Sequence, residues 1–191
     1  MSKPAPPAAV KLIFSVFAPA GNWINDAIRR LSVLYGPPDY VSAQIPFDYT
    51  AYYAPEMGQT LVRRFLSMEK LIRPESLPDV KRTTNGIEDE SLVDGRRRVN
   101  IDPGYLSQAH LILATGKGYT HRPYLRDGIY ADLTLIYQAK KFCALPWTYP
   151  DYADERQWKM FEAIRSRYLQ QLKTSMDGAR PVFNCERVED D

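Results

Sequence analysis

The chain has little of what builds a covalent framework. Cys143 and Cys185 are its only cysteines, far apart and in no metal-ligand or CxxC spacing. That excludes a disulfide-stapled fold and a CxxC redox centre, and free thiols in a reducing cytosol are expected. Long apolar runs are missing too: residues 12–18 fall far short of the roughly 20 that span a bilayer. The Pro/Ala-rich residues 1–9 precede no small-residue cleavage site, so neither a membrane span nor an export signal is expected. A surplus of one charge sign is also absent, with 25 basic against 23 acidic side chains. No whole-molecule field therefore drives binding to a phosphate backbone, and charge does not favour nucleic acid as a partner.

The 191 residues suffice for one domain with a full core and are short for two. A single domain over 1–191 is expected, with 1–9 and 177–191 as loosely attached termini; the latter carries Gly178, Pro181 and a final acidic run. Apolar residues at 45% and charged residues at 25% exclude a disordered or fibrous chain.

Periodicity supplies the elements. Residues 11–17 are β-rich; Pro19 and Gly21 break the run, and Trp23, Ile24, Ala27, Ile28, Leu31 and Tyr35 recur at helical spacing. Asn22 suits the N-cap, and Gly36 before Pro37 and Pro38 marks the stop. Residues 41–49 alternate as a half-buried strand, and 61–72 fit both periods, with strand preferred. Leu77, Val80, Thr84, Ile87 and Leu92 predict a second helix with Gly95 beyond it. Strands follow near 99–102, 111–113 and 129–137, then a closing amphipathic helix carrying Trp158, Phe161, Ile164, Tyr168 and Leu172. The order predicts an α+β fold on a largely antiparallel sheet: a split βαβ (ferredoxin-like) start, extended by extra strands and a C-terminal helix, with helices mainly on one face.

The same alternation that buries aliphatic residues aligns polar ones. Asp48, Thr50 and Tyr52 share one strand face, Asn100 and Asp102 another, and Tyr130, Asp132 and Thr134 a third. Adjoining strands would make these a groove, and carboxylates gathered there suit a hard divalent cation such as Mg²⁺; a plain solvated sheet face is the alternative. The loop 114–122 packs Gly116 and Gly118 with Lys117, His121 and Arg122, which suits an anion, though a simple hairpin turn explains it as well. His121, with Asp102 and Asp132, forms the candidate acid–base set. Lys81, Asn85 and Glu88 fall on one helix face and offer polar groups, or else a solvated salt-bridge face. The 13 tyrosines serve either core packing or stacking.

Several strings occur together in order: Phe47-Asp48 with Glu56-Met57-Gly58, Thr84-Asn85 with Ile87-Glu88, and Asn100-Ile101-Asp102-Pro103-Gly104-Tyr105. His121-Arg122, Gly128-Ile129-Tyr130-Ala131 and Trp147-Thr148-Tyr149-Pro150-Asp151-Tyr152 follow. With this set the chain resembles, over nearly its full length, a prokaryotic domain-of-unknown-function family of this size, some members of which carry a GTP-binding label. Glu56 and Tyr105, from these strings, join the candidate ligand-binding residues. The resemblance implies no reaction, and the phosphate loop of GTPases is not present: it needs Gly where Leu111 stands, and no Asn-Lys pair reads guanine. Pro123 stands where an aliphatic residue is more usual in the family and stiffens the loop.

These features favour a site for a small anionic ligand, phosphorylated or carboxylated, over two other classes. One is a single-stranded RNA module using sheet tyrosines, which the acids on that face oppose. The other is a scaffold, which would show a flat apolar patch instead of a polar cleft.

Overall fold

The computed structural model describes residues 3–19 and 21–177. The centre of the fold is β1 (Val10–Pro19), buried along nearly its whole length on both faces. Leu12, Phe14, Val16 and Ala18 point to one side, against Ile24, Ala27 and Leu31 of α1 (Trp23–Tyr35) and Val80 and Ile87 of α3 (Leu77–Glu90). Ile13 points to the other side, where Phe161, Ile164, Tyr168 and Leu172 of α5 (Glu155–Asp177) cover it. A strand buried on both faces along nearly its whole length fits a three-layer arrangement of this kind.

The remaining strands are β2 (Pro38–Val41), β3 (Ile45–Pro46), β4 (Leu61–Ile72), β5 (Asn100–Leu106), β6 (His110–Thr115), β7 (Tyr124–Arg126), β8 (Ile129–Gln138) and β9 (Lys141–Ala144). Two short helices, α2 (Ala54–Met57) and α4 (Pro150–Ala153), lie in connections. The sheet runs β2-β4-β1-β5-β6-β8-β7, with β3 beside β4 and β9 beside β8, and every pairing is antiparallel. The fold is α+β. Its first four sheet positions have the split βαβ order, and β6, β8 and β7 extend it. No described helix is long and apolar enough to cross a membrane.

The sheet opens between β5 and β6. Their ladder is confined to Gly104↔Leu113, Tyr105↔Ile112 and Leu106↔Leu111. Beyond it β5 stays paired with β1 as far as Asn100, and β6 with β8 as far as Thr115, so the two strands part like a fork. Two residues fix the point. Pro103 has no N–H to donate, and a Cβ on Gly104 would stand 2.4 Å from the Ile112 carbonyl oxygen, so this closest rung tolerates only glycine.

Several local expectations are corrected. Residues 41–49 are not one strand, because between Val41↔Leu66 and Ile45↔Arg63 an extra residue shifts the register at 42–44; β2 and β3 are short pieces along β4, and Asp48, Thr50 and Tyr52 lie in the loop after them. Asn22 caps α1 through its carbonyl, which accepts from Asp26 N at 2.9 Å, without a side-chain bond. Gly36 ends that helix at φ 87°, as expected. In contrast α3 stops at Glu90, while Asp94 (φ 52°) and Gly95 (φ 71°) turn a separate hairpin bridge between Val93 and Arg96. The parity of β8 also breaks. A bulge at Leu133–Thr134 leaves Ile129 and Ala131 on the α3 side but turns Leu135 toward α5, where it joins Phe142 and Phe161. The loop after β6 is no hairpin turn, since β6 and β7 flank β8 and residues 116–123 must cross it. The expected tail lies largely outside the described residues, as does Cys185; Cys143 is a free thiol.

Gly104→Ala is expected to destabilise the fold by about 1–3 kcal/mol through overpacking at the fork. Gly86→Ala, on a turn of α3 with nothing within 4 Å of the added carbon, should stabilise it by about 0.5–1 kcal/mol. Urea midpoints of the two variants against wild type check both signs.

Candidate functional site

α5 covers only part of the second sheet face. The rest holds a cavity of about 650 Å³. Strand alternation and register supply its floor: Phe17, Arg63, Asn100 and Asp102 point the same way, and the pairings Gly104↔Leu113 and Leu113↔Asp132 bring Asp132 to that face too. Loops supply the sides, with Tyr52 and Tyr53 on one, Lys117 and Arg122 on another and Tyr149, Asp151 and Tyr152 on a third. The fork admits a fourth wall. Lys81, Asn85 and Glu88 belong to a helix on the opposite side of the sheet, yet they line the cavity through the gap.

The fork also explains the pairing of these α3 side chains. Ile101 N–H donates to Glu88 Oε1 at 2.7 Å, and Lys81 Nζ donates to Ile101 O at 3.1 Å. Lys81 also stands 3.5 Å from Asp102 and 4.0 Å from Glu88. Burial raises the Glu88 carboxyl above its ordinary value, against the lowering pull of Lys81, the Ile101 amide and Arg97.

Most lining cations are committed. Arg63 is buried, stacks 4.0 Å over the Phe47 ring and pairs with the buried Asp151. Breaking such a pair strands a charge at a cost of about 3–5 kcal/mol, so Arg63 is a fixed floor and not a free ligand contact. Arg97 grips Glu56 bidentately at 2.7 Å and reaches Glu88 at 3.0 Å and Asn100 Oδ1 at 3.1 Å. Its hydrogen bonds hold the Glu56 carboxyl below its ordinary value. Arg122 donates to Asp132 Oδ2 at 2.8 Å, Lys117 O at 3.1 Å and the Tyr149 hydroxyl at 2.9 Å. A guanidinium has five N–H donors, so Arg122 keeps two. Lys117 differs from all of these. Its ammonium sits 4.7 Å from the Tyr52 ring centroid and 3.4 Å from that hydroxyl, with no carboxylate partner among the described residues.

Of the residues singled out from sequence, Lys81, Asn85, Glu88, Asn100, Asp102, Lys117, Arg122, Asp132 and Tyr52 converge on this cavity. Glu56 stands one contact away through Arg97. His121 lies behind the wall, stacked on Trp147 at 5.0 Å and 3.7 Å from Asp132. Three others fall elsewhere, two for reasons of parity and one because a loop covers it. Tyr105 faces α3 with Leu77, Ala114 and Ile129. Thr134 is the buried bulge residue, bonded to Asp132 O. Tyr130 shares the Asp132 face but is roofed by the crossing loop, with a Cβ on Gly118 only 3.1 Å from its ring. Tyr105 and Tyr130 therefore form no common stacking platform. Asp48 is exposed and does not line the cavity.

The acids do not gather as a cation site. Among the described residues no group of three or more His, Cys, Asp or Glu is placed to hold a metal ion, and Asp102 and Asp132 each face a protein cation. Sequence reading missed Arg63, Arg97 and Asp151. Arg63 carries a signal in retrospect, a charge in register with Leu61 and Phe65 on a buried strand face, whereas Arg97 is hidden in the run Arg96-Arg97-Arg98.

The architecture and site thus define an antiparallel α+β domain with a polar cavity where its sheet forks. The chain belongs to the family Domain of unknown function (DUF4416), which it matches over residues 8–168. No curated protein and no solved structure matches it.

The Arg97–Glu56 grip ties the loop wall to β5 and makes a pH-dependent contribution. Because the folded Glu56 carboxyl is lowered from 4.5, its stabilisation is present above that value and is lost as pH falls through the lowered one. Glu56→Gln is expected to lower the urea midpoint at pH 7, with the gap to wild type closing in strong acid.

Proposed function

We propose that the cavity binds a small anionic ligand, carboxylated or phosphorylated, with Lys117 and the spare donors of Arg122 as its anion contacts. The observation that supports this reading is Lys117. Every other lining cation has a carboxylate within 4.0 Å, but this one rests on a phenol at the rim, beside two glycines and Arg122. An exposed ammonium held over a ring loses little on exchanging it for an anion, and the gain is a charge-assisted hydrogen bond. A divalent cation enters this reading only as a companion of the ligand's phosphate, because the protein's own acids are engaged.

His121 is separated from the cavity by Asp132 and Arg122, so it acts on a ligand only through Asp132; Asp102 and Asp132 are the acids placed to touch one.

Calorimetry with inorganic phosphate and citrate tests the proposal. Lys117→Ala is expected to weaken the tighter of the two about tenfold, the loss of one charged hydrogen bond. Arg156→Ala, which breaks an exposed pair with Asp154 and does not line the cavity, should leave binding unaltered. Equal affinity in wild type and Lys117→Ala, or no binding of either anion, would sink the reading.

A further inference from the structure

The cavity has two chemically different ends, and the difference restricts the ligand. Its rim carries the cations: Lys117 is exposed, and Arg122 lies beside it with two donors to spare. Its inner end carries two acids, which already engage the neighbouring cations Lys81 and Arg97. Glu88 is buried in the fork, and Asp102, with its side chain 32% exposed, faces the open space. An anionic group placed at that inner end would meet two carboxylates and find Lys81 and Arg97 already engaged by them. Lys117 at the rim has no carboxylate partner among the described residues, so the anion belongs there.

What the inner end accepts follows from its unused valences. Asp102 accepts one hydrogen bond from Asn100 Nδ2 at 2.8 Å and faces Lys81 at 3.5 Å. A carboxylate has about four acceptor positions, so it retains capacity for donors from a ligand. An ammonium is a poor candidate, because the Lys81 cation already stands against Asp102 and would repel it. Hydroxyl groups meet both conditions: they donate to Asp102 and carry no charge. Asn85, exposed on α3 and lining the same end, offers an amide that both donates and accepts. Tyr53 and Tyr149 line the same cavity, and an aromatic ring is a suitable neighbour for the C–H face of a sugar.

We infer that the ligand is a phosphorylated polyol, its phosphate on Lys117 and Arg122 at the rim and its hydroxyls on Asp102 and Asn85 within the fork. The inference rests on the anion site proposed above. The shared chemistry is a sugar phosphate, either free or as the ribose phosphate of a nucleotide.

The test compares four probes on the full chain by calorimetry: inorganic phosphate, ribose, ribose 5-phosphate and adenosine 5′-monophosphate. At least one phosphorylated sugar should bind about tenfold tighter than inorganic phosphate and than ribose, and the tighter of the two names the source. Asp102→Asn should shrink the ratio of sugar phosphate to phosphate affinity about tenfold. Asn85→Ala, a change on an exposed helix position, should shrink it in the same direction without touching the core. If phosphate binds but neither phosphorylated sugar exceeds it, or if neither variant alters the ratio, this inference is wrong while the anion site stands. If no phosphate-bearing probe binds, this inference fails, and the anion site fails with it only if citrate does not bind either.

Discussion

One backbone group governs this molecule. Where β6 parts from β5, the amide and carbonyl of Ile101 lose their strand partner, and a buried polar group left unpaired costs about 1–3 kcal/mol. Two side chains of α3 replace the missing strand, Glu88 taking the N–H and Lys81 giving to the carbonyl. The substitution keeps the fork open, and an open fork is what lets a helix on one side of the sheet contribute to a cavity on the other. Lys81 and Glu88 are themselves charged and buried, so they need compensation from each other, Arg97 and Asp102. The electrostatics of the cavity thus descend from a gap in a hydrogen-bond ladder.

The same logic separates structural from available charge. Arg63, Arg97 and Lys81 are each held by several partners, and the energy of moving any of them exceeds what a surface contact returns. The fixed charges shape the cavity and set its polarity. Lys117, on a glycine-flanked loop, is outside that network. A fixed inner network with an uncommitted outer cation is a workable division for a binding site, because the pre-organised part loses little conformational freedom on association.

Sequence periodicity revealed α1 and α3, whose apolar residues recur every 3.6 positions, while β1 stood out as a continuous β-rich run and β4 fitted both periods. It also aligned Asn100 with Asp102 and, with Asp132, brought them to one surface. It failed where a single residue interrupts a period. An extra residue between Val41 and Ile45 cut a strand that reads as continuous, and a bulge at Leu133–Thr134 moved Thr134 off the face that Asp132 occupies. The contribution of Arg63 and Arg97 was hidden for a different reason. A cation's role depends on which remote acid it meets, here Asp151 and Glu56, and spacing along the chain carries no information on such long-range pairs.

The strap formed by residues 116–123 has one more implication. Both strands it joins are hydrogen-bonded to β8, one on each edge, so its ends are pinned to a common rail while its middle passes over the Tyr130 ring. Asp132 rides on that same rail beneath it and anchors Arg122. Sequence drift or insertion in the middle of the strap would therefore alter reach toward a guest, yet leave the bond between rail and strap in place. Specificity and attachment are separable here by construction.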